Sequence, residues 1–294
     1  MEEKSLKTAY QQVEGRANAR QRMSYNRKVI TSGDTVEVYS LKTRQRKGYE
    51  KRDAGQKRRK FADLSYLEKI DAYKRKTVYI KQKRIDVMRL ISSNFHQGLT
   101  KFLTLTFREH VTDRAQAMDE FKKFMKRLNY QQEKQKRSNV KYLGVIEYTK
   151  KGRIHFHVVL FNCGYIKKDI LQDIWGNGFI RINRIKGMNG SAVARYVTKY
   201  LAKAYQTELD DFEEMIRLGS ETNKQKDYFV SRNLVRPKFT YLSLLDDEPV
   251  FLARDFNQVK TKEYMRIIYV GEHDDGSPIF DKEKVTYALY EKIA

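Results

Sequence analysis

The sequence has little of what secreted, zinc-cluster and membrane proteins depend on. Its 294 residues include one cysteine, Cys163, which excludes an intramolecular disulfide and a cysteine-based zinc cluster. No apolar run approaches the roughly 18 residues of a membrane-spanning helix, and the opening stretch MEEKSLKTAY contains no apolar signal region. We therefore expect a soluble, cytoplasmic protein without a membrane partner.

Acidic residues are scarce relative to basic ones. The chain carries 60 Lys and Arg against 37 Asp and Glu, a net charge of +23, and such an excess predicts an anionic partner, most often nucleic acid. In the segment KTRQRKGYEKRDAGQKRRK, residues 42–60, ten residues are basic and two are acidic. We expect a mobile basic arm that contacts the DNA backbone; a solvated, solubilising tail is the alternative. No apolar face accompanies the basic runs, as an interfacial membrane helix requires.

Apolar periodicity predicts alternating helices and strands from residue 65 onward. Ser65 and Glu68 have the spacing of a capping box at the start of helices over 66–94. The elements predicted after it are a strand at 101–107, a helix at 112–131, strands at 139–149 and 153–161, a short helix at 167–176, a strand at 178–185, a helix at 191–206 and an edge strand within 226–239.

This β-α-β-β-α-β-α order predicts the fold class. A hairpin between helical crossovers is typical of an antiparallel β-sheet with packed helices, an α+β fold of ferredoxin-like type. We expect a basic arm and helical extension at 1–95 that contacts DNA, the sheet domain at 96–239 and a C-terminal appendage of unknown role at 240–294.

Two of the chain's five histidines, His155 and His157, lie two positions apart in the predicted strand RIHFHVVLF. Such residues point to the same face of a sheet, and imidazole fills an apolar face poorly. If residues 150–152 form a three-residue loop with Gly152 in the left-handed conformation, Glu147 faces His155 on the same side. Two imidazoles and a carboxylate then converge on one ion. The alternative is a His–Glu pair that only orients the ring.

This mixed set of nitrogen and oxygen ligands predicts a divalent metal cofactor. Mn²⁺ suits the set, Mg²⁺ suits it less naturally, and Zn²⁺ is a competitor in geometry. Coordination positions left open by three protein ligands indicate a Lewis acid that polarises a substrate oxygen.

The stretch YVTKYLAK, residues 196–203, predicts a helix with a reactive side. At about 100° per residue, one arc of this helix carries four side chains beside an apolar arc that can pack on the sheet. These four are Tyr196, Lys199, Tyr200 and Lys203. A tyrosine becomes a nucleophile when a base or a cation helps it ionise. The alternative is an amphipathic helix with two rim tyrosines and two solvated lysines.

Together these motifs resemble the HUH endonucleases, in particular the replication initiators of rolling-circle plasmids and small single-stranded DNA phages. The family's histidine–hydrophobe–histidine strand is matched by His155, Phe156 and His157, and its Tyr-x-x-x-Tyr helix by Tyr196 and Tyr200. The strand FLTLTF resembles the family's first motif. The resemblance covers about residues 100–235.

The resemblance implies an endonuclease domain at 96–239 that nicks and rejoins one strand of single-stranded or extruded origin DNA. It implies a 5′-phosphotyrosine intermediate, Mn²⁺ or Mg²⁺ as cofactor, and a host helicase and polymerase as partners. The implied metal ligands are His155, His157 and Glu147; the implied catalytic residues are Tyr196, Tyr200, Lys199 and Lys203. The two tyrosines have similar settings, so either could attack first.

Three other functions stay open. A relaxase or transposase uses the same chemistry, a non-catalytic nucleic-acid-binding protein uses none of it, and a metal hydrolase uses activated water. The sequence contains no Gly-x-x-x-x-Gly-Lys-Ser/Thr phosphate loop, so no fused helicase is implied.

Overall fold

A computed structural model describes residues 24–46, 61–183, 185, 188–202, 228–245, 250, 252, 255–273 and 277–293. Its strands are β1 (Ser24–Ser32), β2 (Thr35–Arg46), β3 (Lys101–Phe107), β4 (Lys141–Tyr148), β5 (Ile154–Phe161), β6 (Gly178–Asn183), β7 (Tyr228–Val230), β8 (Lys238–Leu242), β9 (Phe256–Glu272) and β10 (Pro278–Lys292). Its helices are α1 (Tyr66–Ser92), α2 (Arg114–Lys134), α3 (Lys168–Trp175) and α4 (190–202), with a 3-10 turn at Phe61–Asp63. None of these helices is long and apolar enough to cross a membrane.

The central sheet has the strand order β6-β3-β5-β4-β7, and its neighbouring strands are antiparallel. Its first four strands in the chain, with α2 and α3, follow the β-α-β-β-α-β order of a ferredoxin-like arrangement. The predicted α+β fold with packed helices is confirmed. β7 is an edge strand inside the predicted range 226–239.

One face of the central sheet packs on α2 and α3 through an apolar core. Phe156 of β5 is fully buried, and its ring centroid lies 5.3 Å from that of Phe121 of α2. Trp175, the last residue of α3, packs on Phe107 of β3 with a centroid distance of 5.0 Å. These contacts fix the strands whose alternate residues point to the opposite face.

The opposite face is covered by α4 and the C-terminal half of α1. The buried residues that join these helices to the sheet include Val87, Leu90, Ile91, Phe102, Leu143, Val159, Val193, Val197 and Leu201. The apolar arc predicted for the tyrosine helix therefore does pack on the sheet.

Helix α1 begins at the capping box predicted from the sequence. The Ser65 hydroxyl accepts a hydrogen bond from the backbone N–H of Glu68, and the Glu68 carboxylate accepts one from the backbone N–H of Ser65. Both N–H groups lack a partner within the helix, so the box stabilises its first turn. The helix ends at Ser92, two residues before the predicted end.

A second five-stranded sheet, the terminal sheet, joins segments from both ends of the chain in the order β8-β1-β2-β10-β9. β1 and β2 form a hairpin, and β2 then pairs with β10, where Val38 lies opposite Ala288. The sequence analysis did not predict this sheet. The expected arm at 42–60 overlaps β2 as far as Arg46, and residues 47–60 lie outside the described residues. The division at 95 and 239 stays a prediction.

Candidate active site

The β4–β5 hairpin has the register predicted from its glycine. Gly152 has a φ of 76°, and its N–H donates to the carbonyl of Thr149. The N–H of Thr149 donates in turn to the carbonyl of Arg153. Glu147 therefore lies directly opposite His155, on the face that also carries His157. We call this surface of the central sheet, the one covered in part by α4, the site face.

Cross-strand pairing arranges the site face in rows that run from β4 to β6. The outer row consists of Glu147, His155, Thr106 and Phe179. The middle row consists of Val145, His157, Thr104 and Arg181. The inner row consists of Leu143, Val159, Phe102 and Asn183. The strand part of the inner row is buried among the apolar residues of α4, whereas the outer row is at least partly exposed along its whole length.

His157 is held by hydrogen bonds on both ring nitrogens. It is 4% exposed, its Nε2 lies 2.5 Å from Oε2 of Glu147, and its Nδ1 lies 3.2 Å from the hydroxyl of Thr104. Glu147 thus reaches diagonally from the outer row into the middle row, a distance within reach of a long side chain. His155 is half-buried in the outer row. The predicted acid and both imidazoles therefore share one face, with the closest contact between Glu147 and His157.

Helix α4 brings both predicted tyrosines to the middle row. The ring of Tyr200 stacks on that of His157, with centroids 3.8 Å apart and planes 23° from parallel. Tyr196 and Tyr200 both pack on Phe102, at 5.4 and 5.6 Å between centroids. The hydroxyl of Tyr200 donates to that of Tyr196 over 3.5 Å. Two phenols and an imidazole thus meet at the edge of the apolar contact.

Burial raises the pKa of Tyr200 to about 12, and the hydrogen bond to Tyr196 and the negative charges of Tyr196 and Glu147 act in the same direction. The positive charge of Arg181 lowers this pKa. In this arrangement Tyr200 keeps its proton at neutral pH, and an added cation would be needed to make it a nucleophile.

The two predicted lysines differ in what is known of their surroundings. The ammonium of Lys199 lies 5.8 Å from the ring centroid of Tyr196, within the range of a cation–π contact. Its side chain is exposed, so it can approach a phosphate beside the tyrosines. Lys203 lies outside the described residues.

The donor types fit a divalent metal, with two imidazoles on one strand and a carboxylate on the next. Within the described residues, however, no three His, Cys, Asp or Glu side chains are grouped closely enough to hold an ion. Glu147 is instead hydrogen-bonded to His157.

Two residues of the middle row were given no role by the sequence analysis. Thr104 bonds to His157, and Arg181 is the cation whose charge reaches Tyr200. The sequence signal for both is strand alternation. Thr104 shares a side of its strand with Thr106, and Arg181 shares a side with Phe179, opposite the buried Ile180.

Comparison with known families agrees with this site. Residues 100–205 match the model of a family described as the replication-associated protein ORF2 family. The match covers about a third of the chain and includes every residue predicted as a metal ligand or catalytic group. It supports a role as a replication initiator. No curated protein and no solved structure matches the chain significantly.

Proposed function

We propose that this protein initiates rolling-circle replication by nicking and rejoining one strand of origin DNA, with Tyr196 or Tyr200 as nucleophile. The observation that carries the proposal is the stacking of Tyr200 on His157, in the row next to His155 and Glu147. A nucleophile-bearing helix and a set of metal-binding side chains lie together on one face. The match to a replication-associated family supports the same function.

The residues that would hold a divalent metal are His155, His157 and Glu147. When bound there, Mn²⁺ or Mg²⁺ would act as a Lewis acid on an oxygen of the scissile phosphate. Thr104 bonds to Nδ1 of His157 and so orients the ring with Nε2 towards Glu147, as second-shell partners of metal-binding histidines do. The Glu147 side chain is 20% exposed, so its carboxylate has room to exchange one partner for another.

The chemical step is a phosphoryl transfer to tyrosine. The phenol gives up its proton, its oxygen forms a bond to phosphorus, and the bond from phosphorus to the 3′ oxygen breaks. The 3′ oxygen gains a proton and becomes a primer for the host polymerase. Because the new phosphotyrosine bond retains the energy of the phosphodiester, the reverse reaction rejoins DNA without ATP. The second tyrosine allows a second transfer before the protein leaves.

Positive charge supports both binding and chemistry. Lys199 and Lys203 would stabilise the charge that develops on the phosphate. The net charge of +23 favours binding to single-stranded or extruded origin DNA, with an affinity that falls steeply with salt. A host helicase would supply further single strand to the same protein, in the cytoplasm.

The test is incubation with single-stranded origin-region DNA and Mn²⁺, resolved on a denaturing gel. The proteins are the wild type, Tyr196→Phe, Tyr200→Phe and the double variant. Tyr165→Phe is the matched control, because Tyr165 is 77% exposed and lies outside the site. We expect a protein–DNA adduct with the wild type and the control, and none with the double variant. The single variants identify the tyrosine that reacts first.

Two outcomes would overturn the proposal. Cleavage without an adduct would show that water is the nucleophile, as in a metal hydrolase. Binding without cleavage, with every divalent metal and both strands of the element, would identify a non-catalytic DNA-binding protein.

A further inference from the structure

An exposed aromatic ring and an exposed cation lie side by side on the edge strand β6. Phe179, 62% exposed, pairs with Thr106, which pairs in turn with His155. Arg181 is also exposed and has the equivalent position in the row of His157. Two strand spacings of about 4.8 Å separate β6 from β5. The pair therefore lies roughly 10 Å from the candidate centre, on the same face.

The exposure of Phe179 is built into the strand. Its neighbour Ile180 is 3% exposed and belongs to the core on the opposite face, so alternation holds Phe179 outward. A large apolar side chain on an edge strand invites unwanted strand pairing, and proteins usually place charges or short strands there instead. An outward ring next to a cation is, however, the combination that binds single-stranded nucleic acid, by stacking on the base and pairing with the phosphate.

We propose that Phe179 and Arg181 form the subsite for the nucleotide that flanks the scissile phosphate. The base stacks on the ring of Phe179, and the guanidinium of Arg181 binds the adjoining phosphate. This inference rests on the proposed function and deepens it by assigning a substrate-positioning surface. Every base has a face that can stack, so the subsite positions the strand without reading its sequence.

Electrostatics agrees with this placement. The charge of Arg181 lowers the pKa of the Tyr200 phenol, so the guanidinium lies within electrostatic range of the group proposed to attack. A strand held between Arg181 and the histidines would pass directly beneath the tyrosines of α4. The middle row then has a cation at its β6 end and the imidazole–carboxylate pair near its β4 end.

The test is equilibrium binding of the full chain to a labelled oligothymidine of about 20 nucleotides, followed by fluorescence anisotropy. A metal chelator is present, so no cleavage occurs. Phe179→Ala should weaken binding by about tenfold, since stacking on one base contributes roughly that much or more. Phe179→Tyr should keep the affinity of the wild type. The slope of log affinity against log salt should be the same in both.

Arg181→Gln should instead change the salt dependence. Loss of one phosphate contact lowers the slope by about 0.7 for single-stranded DNA. Ile182→Ala is the control for Phe179, because Ile182 is 42% exposed on the other face of the same strand. Lys282→Gln is the control for Arg181, because Lys282 is an exposed cation of the terminal sheet. Circular dichroism checks that each variant is folded.

The subsite is wrong if Phe179→Ala binds as tightly as Ile182→Ala, or if Arg181→Gln keeps the slope of Lys282→Gln. These results do not depend on cleavage. The predicted binding losses without any tyrosine adduct on the gel would refute the nicking function and leave the subsite standing. Unchanged binding with normal adduct formation would refute the subsite alone.

Discussion

Two acid–base pairs in this molecule have the same shortest contact but different surroundings. Between the terminal sheet and α1, Oε2 of Glu37 lies 2.5 Å from Nε of Arg89. On the site face, Oε2 of Glu147 lies 2.5 Å from Nε2 of His157. Both pairs join separate elements of the fold, so their distances alone do not tell a structural pair from a functional one.

The Glu37–Arg89 pair is saturated with hydrogen bonds. The guanidinium bonds to both carboxylate oxygens, and the hydroxyls of Tyr39 and Tyr287 donate to Oε1 of Glu37 at 3.3 and 3.2 Å. Both side chains are at most 10% exposed. Arginine stays charged at every pH a protein meets. Such a pair has one arrangement and serves to hold α1 against the terminal sheet.

The Glu147–His157 pair has more than one arrangement available. Glu147 is twice as exposed as Glu37, and imidazole, unlike guanidinium, can give up a proton and bind a metal. Tyr200 stacks on the ring, and the half-buried His155 lies in the next row. The comparison teaches that a pair able to exchange partners, beside a nucleophile, marks the site.

The largest expected effect separates the two pairs by stability. Glu37→Gln should lower the free energy of unfolding by about 3–5 kcal/mol, because it leaves the buried charge of Arg89 without its counter-charge. Glu147→Gln should cost only about 1 kcal/mol, since the amide can still bond to His157. Urea denaturation followed by circular dichroism measures both.

Asp86→Asn is the control for this experiment. Asp86 also pairs with Arg89, at 3.4 Å, but it is 50% exposed, so its loss should cost less than about 1 kcal/mol. Equal losses for Glu37→Gln and Glu147→Gln would remove the distinction between a structural and a functional pair.

Metal binding should stabilise the protein through one pair and not the other. At a Mn²⁺ concentration about 100 times the dissociation constant, the gain is about 2.7 kcal/mol. His157→Ala and His155→Ala should abolish the rise in melting temperature, whereas Asp86→Asn should keep it. A rise that persists in the double histidine variant would place the ion elsewhere.

Alkaline pH should weaken the terminal sheet. Burial raises the pKa values of Tyr39 and Tyr287 above the ordinary 10.0, and the charge of Glu37 acts in the same direction. The folded state keeps protons that the unfolded state loses, so stability is intact below pH 10.0 and falls as the pH rises above it.

The loss should be on the order of 1 kcal/mol per pH unit for each tyrosine. Urea denaturation at several pH values should show a shallower fall in the double variant Tyr39→Phe and Tyr287→Phe than in the wild type. Tyr165→Phe, which removes an exposed phenol, should leave the fall unchanged. Parallel curves for all three proteins would contradict the assigned cause.

The smallest effect on stability is expected at Lys199. Lys199→Gln removes an exposed cation–π contact and should cost about 0.5 kcal/mol or less. The rate of adduct formation should nevertheless fall, because the cation would act on the phosphate and not on the fold. A quench-flow time course compares this variant with the wild type; unchanged rates would leave Lys199 a solvated side chain.

The sequence predicted the site face better than its contacts. Gly152 set the hairpin register, and helical spacing put Tyr196 and Tyr200 on one side of α4. Both signals are local, since they depend on residues close in the chain. The bond from Glu147 to His157 instead of to its direct neighbour depends on side-chain rotation, which strand register leaves open.

The terminal sheet could not be predicted in the same way. β2 pairs with β10, whose residues lie about 250 positions away in the chain. The alternation of Val36 and Val38 and the turn at Gly33 were local signals of a hairpin, but the basic composition of residues 1–60 favoured an arm. Glu37 and Arg89 meet only because distant segments fold together.

The most direct test of the central claim is peptide mapping of the covalent adduct by mass spectrometry. Wild-type protein, single-stranded origin-region DNA and Mn²⁺ are incubated, and the product is digested with nuclease and trypsin. We predict a nucleotide attached through its 5′ phosphate to Tyr196 or Tyr200, the residues beside His157. Attachment to any other residue, or cleaved DNA with no modified peptide, would contradict the account.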